Sequence, residues 1–339
     1  MGRRPSVSKT FFVLAFIFIL WSPLSSANLF WPPPPAEPRI FFVKNISDRK
    51  DMGIKESVWG HLRNFFFGGK YDALSRPMAV AVGEDGTMYI ADAGIAAIFI
   101  YQPKEKNLKR IEQIDKKIDL VSPVGIAVSK GLIFVADSYL KKVFAITAQG
   151  TSRFALGEEQ GIGRPTGLYS YEDRLYIVDT QGCQIFVFDS RGRLIFKFGK
   201  KGAAEGEFNL PTNIFVDRQK RIYVSDTLNS RVQVFDSTGK FLKAIGSAGD
   251  SSGFFSRPKG AAVDSLGHIY ITDAMFDNIQ IFDDQKNFLL GFGKAGHDEG
   301  EFWLPAGITI DQDDNIYVAD SYNQRISIFH YGPENQTSR

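Results

Sequence analysis

One sequence unit recurs six times along this chain of 339 residues, and this repeat constrains the fold more than any other feature. Residues 210–246 and 257–293 carry the same residue classes at the same offsets. Each unit has a proline near its start: Pro77, Pro123, Pro165, Pro211, Pro258 and Pro305. Each also has a central aspartate: Asp92, Asp137, Asp179, Asp226, Asp273 and Asp320. Successive aspartates are 42 to 47 residues apart, a period typical of repeat architectures.

Each unit contains four short runs of β-branched and aromatic residues. In the fourth unit these runs are Ile214–Val216, Ile222–Ser225, Val232–Phe235 and Phe241–Ile245, with turn residues between them. Runs of this length and composition favour β-strands. Four antiparallel strands in a unit of this size predict one propeller blade. The six units therefore predict an all-β, six-bladed β-propeller over residues 75–331.

The sixth unit has only three strand-like runs, and the third, Ile326–Tyr331, leads into a polar C-terminal tail, residues 332–339. The segment Arg39–Val43 is a strand-like run without a unit of its own. We predict that this N-terminal strand completes the last blade and closes the ring. Deleting residues 28–45 is then expected to open the ring and expose an edge that invites aggregation.

The first 27 residues have the pattern of a secretory signal peptide. Basic residues precede the apolar run Phe11–Trp21, and a small-residue stretch ends at Ala27. The apolar run has 11 residues, fewer than the roughly 17–25 that span a bilayer. We expect cleavage after Ala27 and export to the periplasm or the cell surface, with a retained membrane anchor as the alternative.

Residues 28–74 are expected to hold three features. The proline run Pro32–Pro35 predicts a stiff, extended spacer, and the closing strand follows it. Apolar residues from Val58 to Phe66 fall at helical spacing, with Ser57 and Gly68 as caps, which predicts one short amphipathic helix. We expect this helix to lie over the propeller; a helix on a membrane surface is the alternative.

Charge and cysteine content exclude several classes of function. Removing Arg3, Arg4 and Lys9 with the signal peptide lowers the 40 basic residues to 37, against 38 acidic ones. The remaining chain lacks the excess positive charge of nucleic-acid-binding proteins, so no nucleic-acid partner is expected. Cys183 is the single cysteine, which excludes an internal disulfide, a Cys-based zinc site and a C-x-x-C-H haem site.

The unit's pattern of P-x-G-[IV]-A-V, I-Y-V-[AS]-D-[ST] and R-[IV]-x-[VI]-F resembles the NHL repeat over residues 75–331. The fourth and sixth units carry the complete D-x-x-N-x-R loop of that family, as Asp226, Asn229, Arg231 and as Asp320, Asn323, Arg325. The other units have Ala97, Lys142, Gln184 and Asn278 at the arginine position. The resemblance implies a rigid platform that binds proteins or RNA in different members and supports hydrolase or lyase chemistry in some. The exported bacterial members are mostly of unassigned role.

The repeated aspartates are predicted to be structural. Each ends a strand and precedes a turn, where a carboxylate accepts hydrogen bonds from the backbone N–H groups of the following loop. Calcium needs six to eight oxygens at one point, whereas six equivalent blade positions are spread around a ring. No metal site is therefore expected from these residues.

No catalytic constellation is evident. The four histidines are scattered, with His61 on the predicted helix, His268 in an inner hairpin turn, His297 in an entry loop and His330 at the end of the last blade. No serine stands in a G-x-S-x-G context. We therefore expect no catalytic residues, no metal and no cofactor. A metal-dependent, lactonase-like hydrolase or lyase is the alternative, and it would need acidic residues in a channel whose inner strands, such as Ala79–Val82, are small and apolar.

The binding surface follows from topology, because the loops before each proline and the loops after each aspartate emerge on one side, here called the entry-loop face. The residues two after each aspartate are Gly94, Tyr139, Gln181, Leu228, Met275 and Tyr322. The residues after each proline are Met78, Val124, Thr166, Thr212, Lys259 and Ala306. This aromatic, apolar and lightly basic mixture is typical of a protein- or peptide-binding surface. The candidate binding residues are Met78, Tyr139, Gln181, Thr212, Leu228, Lys259, Met275 and Tyr322; the alternative is that several of them pack between blades.

These observations favour an exported, monomeric, non-catalytic scaffold that binds a protein partner on its entry-loop face. Two alternatives remain. One is an exported propeller hydrolase or lyase. The other is an accessory subunit of a cell-envelope complex such as an electron-transfer assembly, because exported proteins resembling this one occur in bacteria rich in multihaem cytochromes.

Overall fold

The computed structural model describes residues 29–37, 39–54 and 73–332, which form 27 β-strands and two single-turn 3₁₀ helices, Glu158–Gln160 and Thr227–Asn229. The predicted signal peptide, the predicted helix over residues 57–68 and the tail beyond residue 332 lie outside the described residues. Within the described ranges, no helix is long and apolar enough to cross a membrane.

Six antiparallel sheets form the blades, and each runs from an inner strand at the axis to an outer strand at the rim. The inner strands are β3 (Pro77–Val82), β9 (Pro123–Ser129), β13 (Pro165–Tyr171), β17 (Pro211–Val216), β21 (Pro258–Val263) and β25 (Pro305–Ile310). The second strands are β4 (Met88–Asp92), β10 (Leu132–Asp137), β14 (Arg174–Asp179), β18 (Ile222–Asp226), β22 (Ile269–Asp273) and β26 (Asn315–Asp320). The third strands are β5 (Ala97–Gln102), β11 (Lys142–Ile146), β15 (Gln184–Asp189), β19 (Arg231–Phe235), β23 (Asn278–Phe282) and β27 (Arg325–Tyr331). The outer strands are β6 (Asn107–Ile111), β12 (Ser152–Leu156), β16 (Leu194–Phe198), β20 (Phe241–Ile245), β24 (Phe288–Phe292) and β2 (Ile40–Ile46).

The blades close into one ring, which confirms the predicted six-bladed propeller. The inner strand of each blade contacts the inner strand of the next, and β25 of the sixth blade contacts β3 of the first. Second and third strands such as β18 and β19 are almost entirely buried because a neighbouring blade covers each face of the sheet. Outer strands such as β16 are largely exposed. A two-stranded hairpin, β7 (Gln113–Ile114) and β8 (Ile118–Asp119), lies between the first and second blades.

The N-terminal strand completes the sixth blade, as the sequence predicted. β2 pairs antiparallel with β27, from Ile40 opposite Tyr331 to Ile46 opposite Ile326. The strand is longer than the predicted run because pairing continues past Val43 through a bulge. A short strand, β1 (Phe30–Trp31), adds a fifth strand to this sheet.

The proline run does not form the extended spacer that the sequence suggested. Pro32–Pro35 lies in the connection that reverses the chain between β1 and β2, because Trp31 pairs with Ile40. The peptide bonds Trp31–Pro32 and Pro34–Pro35 are cis. The Trp31 ring packs against the sixth-blade seam, with its centroid 5.6 Å from that of Phe292.

Adjacent blades meet closely at the axis. In the P-x-G segment of the second blade, a Cβ on Gly125 would lie 1.8 Å from the backbone oxygen of Thr166 in the third blade. A Cβ on Gly260 would similarly lie 2.8 Å from the backbone oxygen of Ala306. Glycine is needed at these two positions because a neighbouring backbone occupies the space of a side chain.

Hydroxyl groups also join neighbouring blades. The residue after the central aspartate donates a hydrogen bond to the proline carbonyl of the next blade in three places. These bonds are Thr180 to Pro211 at 2.6 Å, Thr227 to Pro258 at 2.8 Å and Ser321 to Pro77 at 2.6 Å. The last of them crosses from the sixth blade to the first and so reinforces the ring closure.

Candidate functional site

The six repeated aspartates anchor the loops of the entry-loop face. All are almost completely buried. Asp92 is representative: its carboxylate accepts hydrogen bonds from the backbone N–H groups of Ser75 at 2.7 Å, Arg76 at 2.9 Å and Gly94 at 2.8 Å. The first two donors belong to the loop that enters the blade and the third to the loop after the aspartate. The sequence predicted the bonds from the following loop, and the structure adds the entering loop, so one carboxylate fixes both.

The complete D-x-x-N-x-R loops of the fourth and sixth blades add an arginine to this anchor. In the sixth blade, Nε of the buried Arg325 donates to Asp320 at 2.8 Å, and the guanidinium also donates to three backbone carbonyls of the entering loop. Burial raises the pKa of Asp320, and the hydrogen bond from the Trp303 backbone, then Asn323 and Arg325, oppose this shift. The equivalent Arg231 of the fourth blade donates to Asp226 at 2.9 Å.

A pocket of about 400 Å³, here called the axial pocket, opens where the inner strands converge. All six residues that follow the repeat prolines line it: Met78, Val124, Thr166, Thr212, Lys259 and Ala306. Three of the predicted binding residues, Met78, Thr212 and Lys259, therefore belong to the axial pocket, and Leu228 also lines it. All six inner strands contribute further residues to the lining, among them Leu168 and Tyr169 of β13 and Ile214 and Phe215 of β17.

The charged residues that line the axial pocket are all basic. They are Arg164, Arg257 and Lys259, here called the cationic cluster, and the described lining contains no aspartate, glutamate or histidine. Burial lowers the pKa of Lys259, and the charges of Arg257 and Arg164 lower it further. Asp273 accepts a hydrogen bond from the backbone N–H of Arg257 at 3.1 Å, and Asp179 binds the backbone N–H of Arg164 at 2.8 Å. These two carboxylates thus hold the backbone at the arginines, and they form no ion pair with the guanidinium groups.

The residues two after each aspartate form a second, wider ring that faces solvent, here called the outer ring: Gly94, Tyr139, Gln181, Leu228, Met275 and Tyr322. Four of its side chains are large and exposed, with 71% of Tyr139, 51% of Met275, 47% of Tyr322 and 44% of Leu228 accessible. Gln181 is also exposed. The structure thus separates the candidate residues into the axial pocket and the outer ring, with Leu228 belonging to both.

An aromatic group at the sixth blade extends the outer ring. The indole of the exposed Trp303 lies 5.5 Å from the Tyr322 ring and 5.0 Å from the His297 ring, measured between centroids. The sequence interpretation did not select Trp303, although it stands two residues before a repeat proline. It also did not select Arg164 and Arg257, and a comparison of the residues directly before each proline would have shown them.

The opposite end of the axis has the reverse charge. A cavity of about 1650 Å³ there is lined by the tight hairpins, where nine acidic residues outnumber the four basic ones, Lys104, Lys130, Arg218 and Arg221. The acidic residues are Glu84, Asp85, Glu172, Asp217, Asp264, Asp283, Asp284, Asp311 and Asp313. Several of them cap their own turns; Asp264, for example, accepts from the backbone N–H of His268 at 2.8 Å. The Asp264 carboxylate also raises the pKa of His268.

No group of three or more His, Cys, Asp or Glu side chains in residues 29–37, 39–54 and 73–332 is arranged to hold a metal ion. Cys183 is buried, and its thiol lies 3.7 Å from the backbone oxygen of Thr180. It lies in the turn after Asp179, as its place in the repeat indicated.

Comparisons with known proteins agree with this architecture. A family model for the NHL repeat matches residues 302–329, and a model described as a 6-bladed beta-propeller matches residues 157–221 and 218–275. No curated protein matches the chain significantly.

Several solved structures are similar in fold. One is a streptogramin B lyase, with a TM-score of 0.57 and 14% identity over 76% of this chain and 94% of that chain. Another is a Bacteroides thetaiotaomicron protein of unknown function, with a TM-score of 0.63 and 17% identity over 77% of this chain and 71% of that one. A third is hydrazine synthase of Kuenenia stuttgartiensis, with a TM-score of 0.55 and 12% identity over 77% of this chain and 97% of that one. At these identities the likeness shows the fold alone.

The closed ring of six blades and the two family-model matches together identify the chain as a six-bladed β-propeller with an NHL repeat in its last blade.

Proposed function

We propose that this protein is an exported, non-catalytic scaffold that binds a protein or peptide partner on its entry-loop face. The single observation that carries the proposal is the outer ring, in which large apolar and aromatic side chains are exposed on anchored loops. Protein interfaces are enriched in Tyr, Trp and Met, and such residues on a surface mark a site of association.

Rigid support makes these side chains suited to binding. The backbone N–H groups of Tyr139 and Met275 donate to the buried aspartates of their own blades, at 3.1 and 2.9 Å. Loops fixed in this way lose little conformational entropy when a partner binds, and pre-organisation of this kind increases affinity. The aromatic group of Trp303, Tyr322 and His297 has the composition of an energetic hot spot.

The cationic lining of the axial pocket supports binding over hydrolase or lyase chemistry. Metal-dependent hydrolase or lyase chemistry needs carboxylates or histidines that hold the metal ion, and the described lining of the axial pocket contains neither. Export is proposed from the signal-peptide pattern of residues 1–27. A mature N-terminus at Asn28, read by sequencing protein purified from its native source, would support it, and an intact Met1 in that material would contradict it.

The partner proposal is tested with matched surface variants. The mature chain carrying Tyr139→Ser, Met275→Ser and Tyr322→Ser is compared with a control carrying Leu242→Ser and Leu289→Ser. The control removes comparably exposed apolar side chains from the outer strands. Partners are cross-linked from envelope extracts and quantified by mass spectrometry.

We expect a partner captured by the unmodified chain to fall at least about tenfold with the outer-ring variant, since each hot-spot residue contributes about 2 kcal/mol or more. The control should retain it. Equal loss in both variants, or full retention by the outer-ring variant, would show that the outer ring is not the binding surface.

A further inference from the structure

The cationic cluster is an uncompensated set of charges. In the part of the chain that the structure describes, the side chains of Arg164, Arg257 and Lys259 form no hydrogen bond or ion pair with another residue. Lys259 is partly buried, and its pKa is lowered by this burial and by the two arginines. Like charges held together without a counter-charge destabilise one another, and a bound anion would remove that repulsion.

The cluster is confined to one side of the axial pocket. Arg164 comes from the third blade, and Arg257 and Lys259 from the fifth, so the cations flank the fourth blade. The sixth, first and second blades supply the other side through Ala306, Met78 and Val124, here called the apolar wall. A ligand that fills the axial pocket therefore meets positive charge on one side and apolar side chains on the other.

The threonine hydroxyls of the axial pocket are already used in bonds between blades. The hydroxyls of Thr166 and Thr212 line the axial pocket, but they donate to the carbonyls of Thr212 and Lys259, each at 3.1 Å. The hydroxyl of Thr227 likewise donates to a carbonyl of the next blade, Pro258. Anion recognition in the axial pocket therefore rests on the cationic cluster, whose guanidinium and ammonium groups form charge-assisted hydrogen bonds with a carboxylate.

We infer that the axial pocket binds an organic carboxylate whose body is apolar, with the cationic cluster holding the carboxylate and the apolar wall packing against the body. The acidic residues at the opposite end of the axis favour approach of the anion from the entry-loop face. An anion is repelled from that end and attracted to the entry-loop face, which raises its local concentration at the axial pocket. The site is distinct from the outer ring, apart from Leu228, and does not require a protein partner.

Isothermal titration calorimetry with two probes of the same shape tests the inference. The probes are 4-phenylbutyrate and its neutral amide, 4-phenylbutyramide, each titrated into the mature chain. We expect the acid to bind at least about tenfold more tightly than the amide, because a charge-assisted hydrogen bond is roughly twice as strong as a neutral one and three cations contribute. Raising the salt concentration should weaken binding of the acid and leave binding of the amide unchanged. Equal binding of acid and amide, or no binding of either, overturns the inference.

Variants locate the site. Lys259→Met removes the partly buried charge and keeps the side chain's length, and Arg257→Gln removes an exposed charge with little effect on folding. Each variant should lower the affinity for 4-phenylbutyrate by about tenfold. Lys240→Met removes one charge from an exposed outer turn and should leave the affinity unchanged. If all three variants weaken binding equally, the attraction comes from net charge, and the specific site is refuted.

A second pair of probes distinguishes the source of the carboxylate. N-acetyl-Ala-Ala-Phe is titrated with a free and with an amidated C-terminus. If the free peptide binds more tightly than 4-phenylbutyrate, and Lys259→Met weakens both to the same extent, the carboxylate is that of a polypeptide end. If the free peptide binds more weakly, the carboxylate is that of a free small molecule. Both outcomes support the carboxylate site. The outer-ring variant serves as the separating control, because it should lose the protein partner and keep 4-phenylbutyrate binding.

Discussion

Replacing Gly125 by alanine tests how closely neighbouring blades approach each other at the axis. The added Cβ would lie 1.8 Å from the backbone oxygen of Thr166, whereas real Cβ atoms essentially never come closer than 3.0 Å. The two inner strands would have to separate by about 1.2 Å, and the obstacle is backbone, which cannot rotate away as a side chain can. Overpacking in a closed core costs about 1–3 kcal/mol and occasionally more, so we expect a loss of about 3 kcal/mol.

Thermal unfolding measures this loss. With about 2.1 cal/mol/K of unfolding entropy per residue, a loss of about 3 kcal/mol in a propeller of this size lowers the Tm by about 5 °C. Gly291→Ala is the matched control, because that glycine lies on the exposed outer strand β24 and its added Cβ meets only ordinary contacts of 3.5 Å and beyond. Replacing a strand glycine there is expected to be neutral or to stabilise by about 0.5–1 kcal/mol. A Tm for Gly125→Ala within about 1 °C of the unmodified protein, or an equal fall in both variants, would refute the argument from blade spacing.

Three further substitutions test the anchors described above by unfolding. Arg325→Met leaves Asp320 buried without its counter-charge and should cost about 3–5 kcal/mol in free energy of unfolding; a cost below about 1 kcal/mol would contradict the anchoring role. Thr227→Val removes the hydrogen bond to the next blade's carbonyl and should cost about 1–2 kcal/mol in guanidinium unfolding, and unchanged stability would show that the bond does not contribute. His268→Gln tests how the charge of His268 affects stability. The Asp264 carboxylate raises the pKa of His268 in the folded state. The stabilisation by this pair is therefore fully present below about pH 6.5, the unfolded-state pKa, and is lost as the pH rises through the folded-state pKa. The variant should therefore be more destabilised at about pH 5.5 than at about pH 8.5, and a pH-independent difference would disprove the coupling.

The repeat made the blades predictable because each blade's strands, turn and aspartate are close together in sequence. The positions at which second strands end, such as Asp226 and Asp273, could be predicted from the local sequence pattern alone. Closure by the N-terminal strand also followed, because an incomplete sixth blade needs a fourth strand. The bulge after Phe42 did not, since no local signal marks where a strand must follow the curvature of its partner.

The candidate site was less predictable because it combines residues from different blades. Topology assigned the residue after each proline to the entry-loop face, and the structure adds that all six line the axial pocket. The residue before each proline has no common character: Arg76, Ser122, Arg164, Leu210, Arg257 and Leu304. Comparing these positions reveals Arg164 and Arg257, but their place beside Lys259 in one pocket follows only from the arrangement of the blades. The proline run Pro32–Pro35 was interpreted wrongly because a turn between β1 and β2 depends on the pairing of Trp31 with Ile40.

The closing strand also dictates the order in which the protein can be finished. Ile40 pairs with Tyr331, a partner 291 residues later in the chain. A ribosome that adds about 5–20 residues per second needs roughly 15–60 s to reach that partner after it has made the strand. Five blades can fold from the N-terminal side during this time, while β2 waits for β27, its partner in the sixth blade. The ring is therefore completed only after β27 has been made, and a chain truncated before Arg325 lacks the strand that joins β2 to β26.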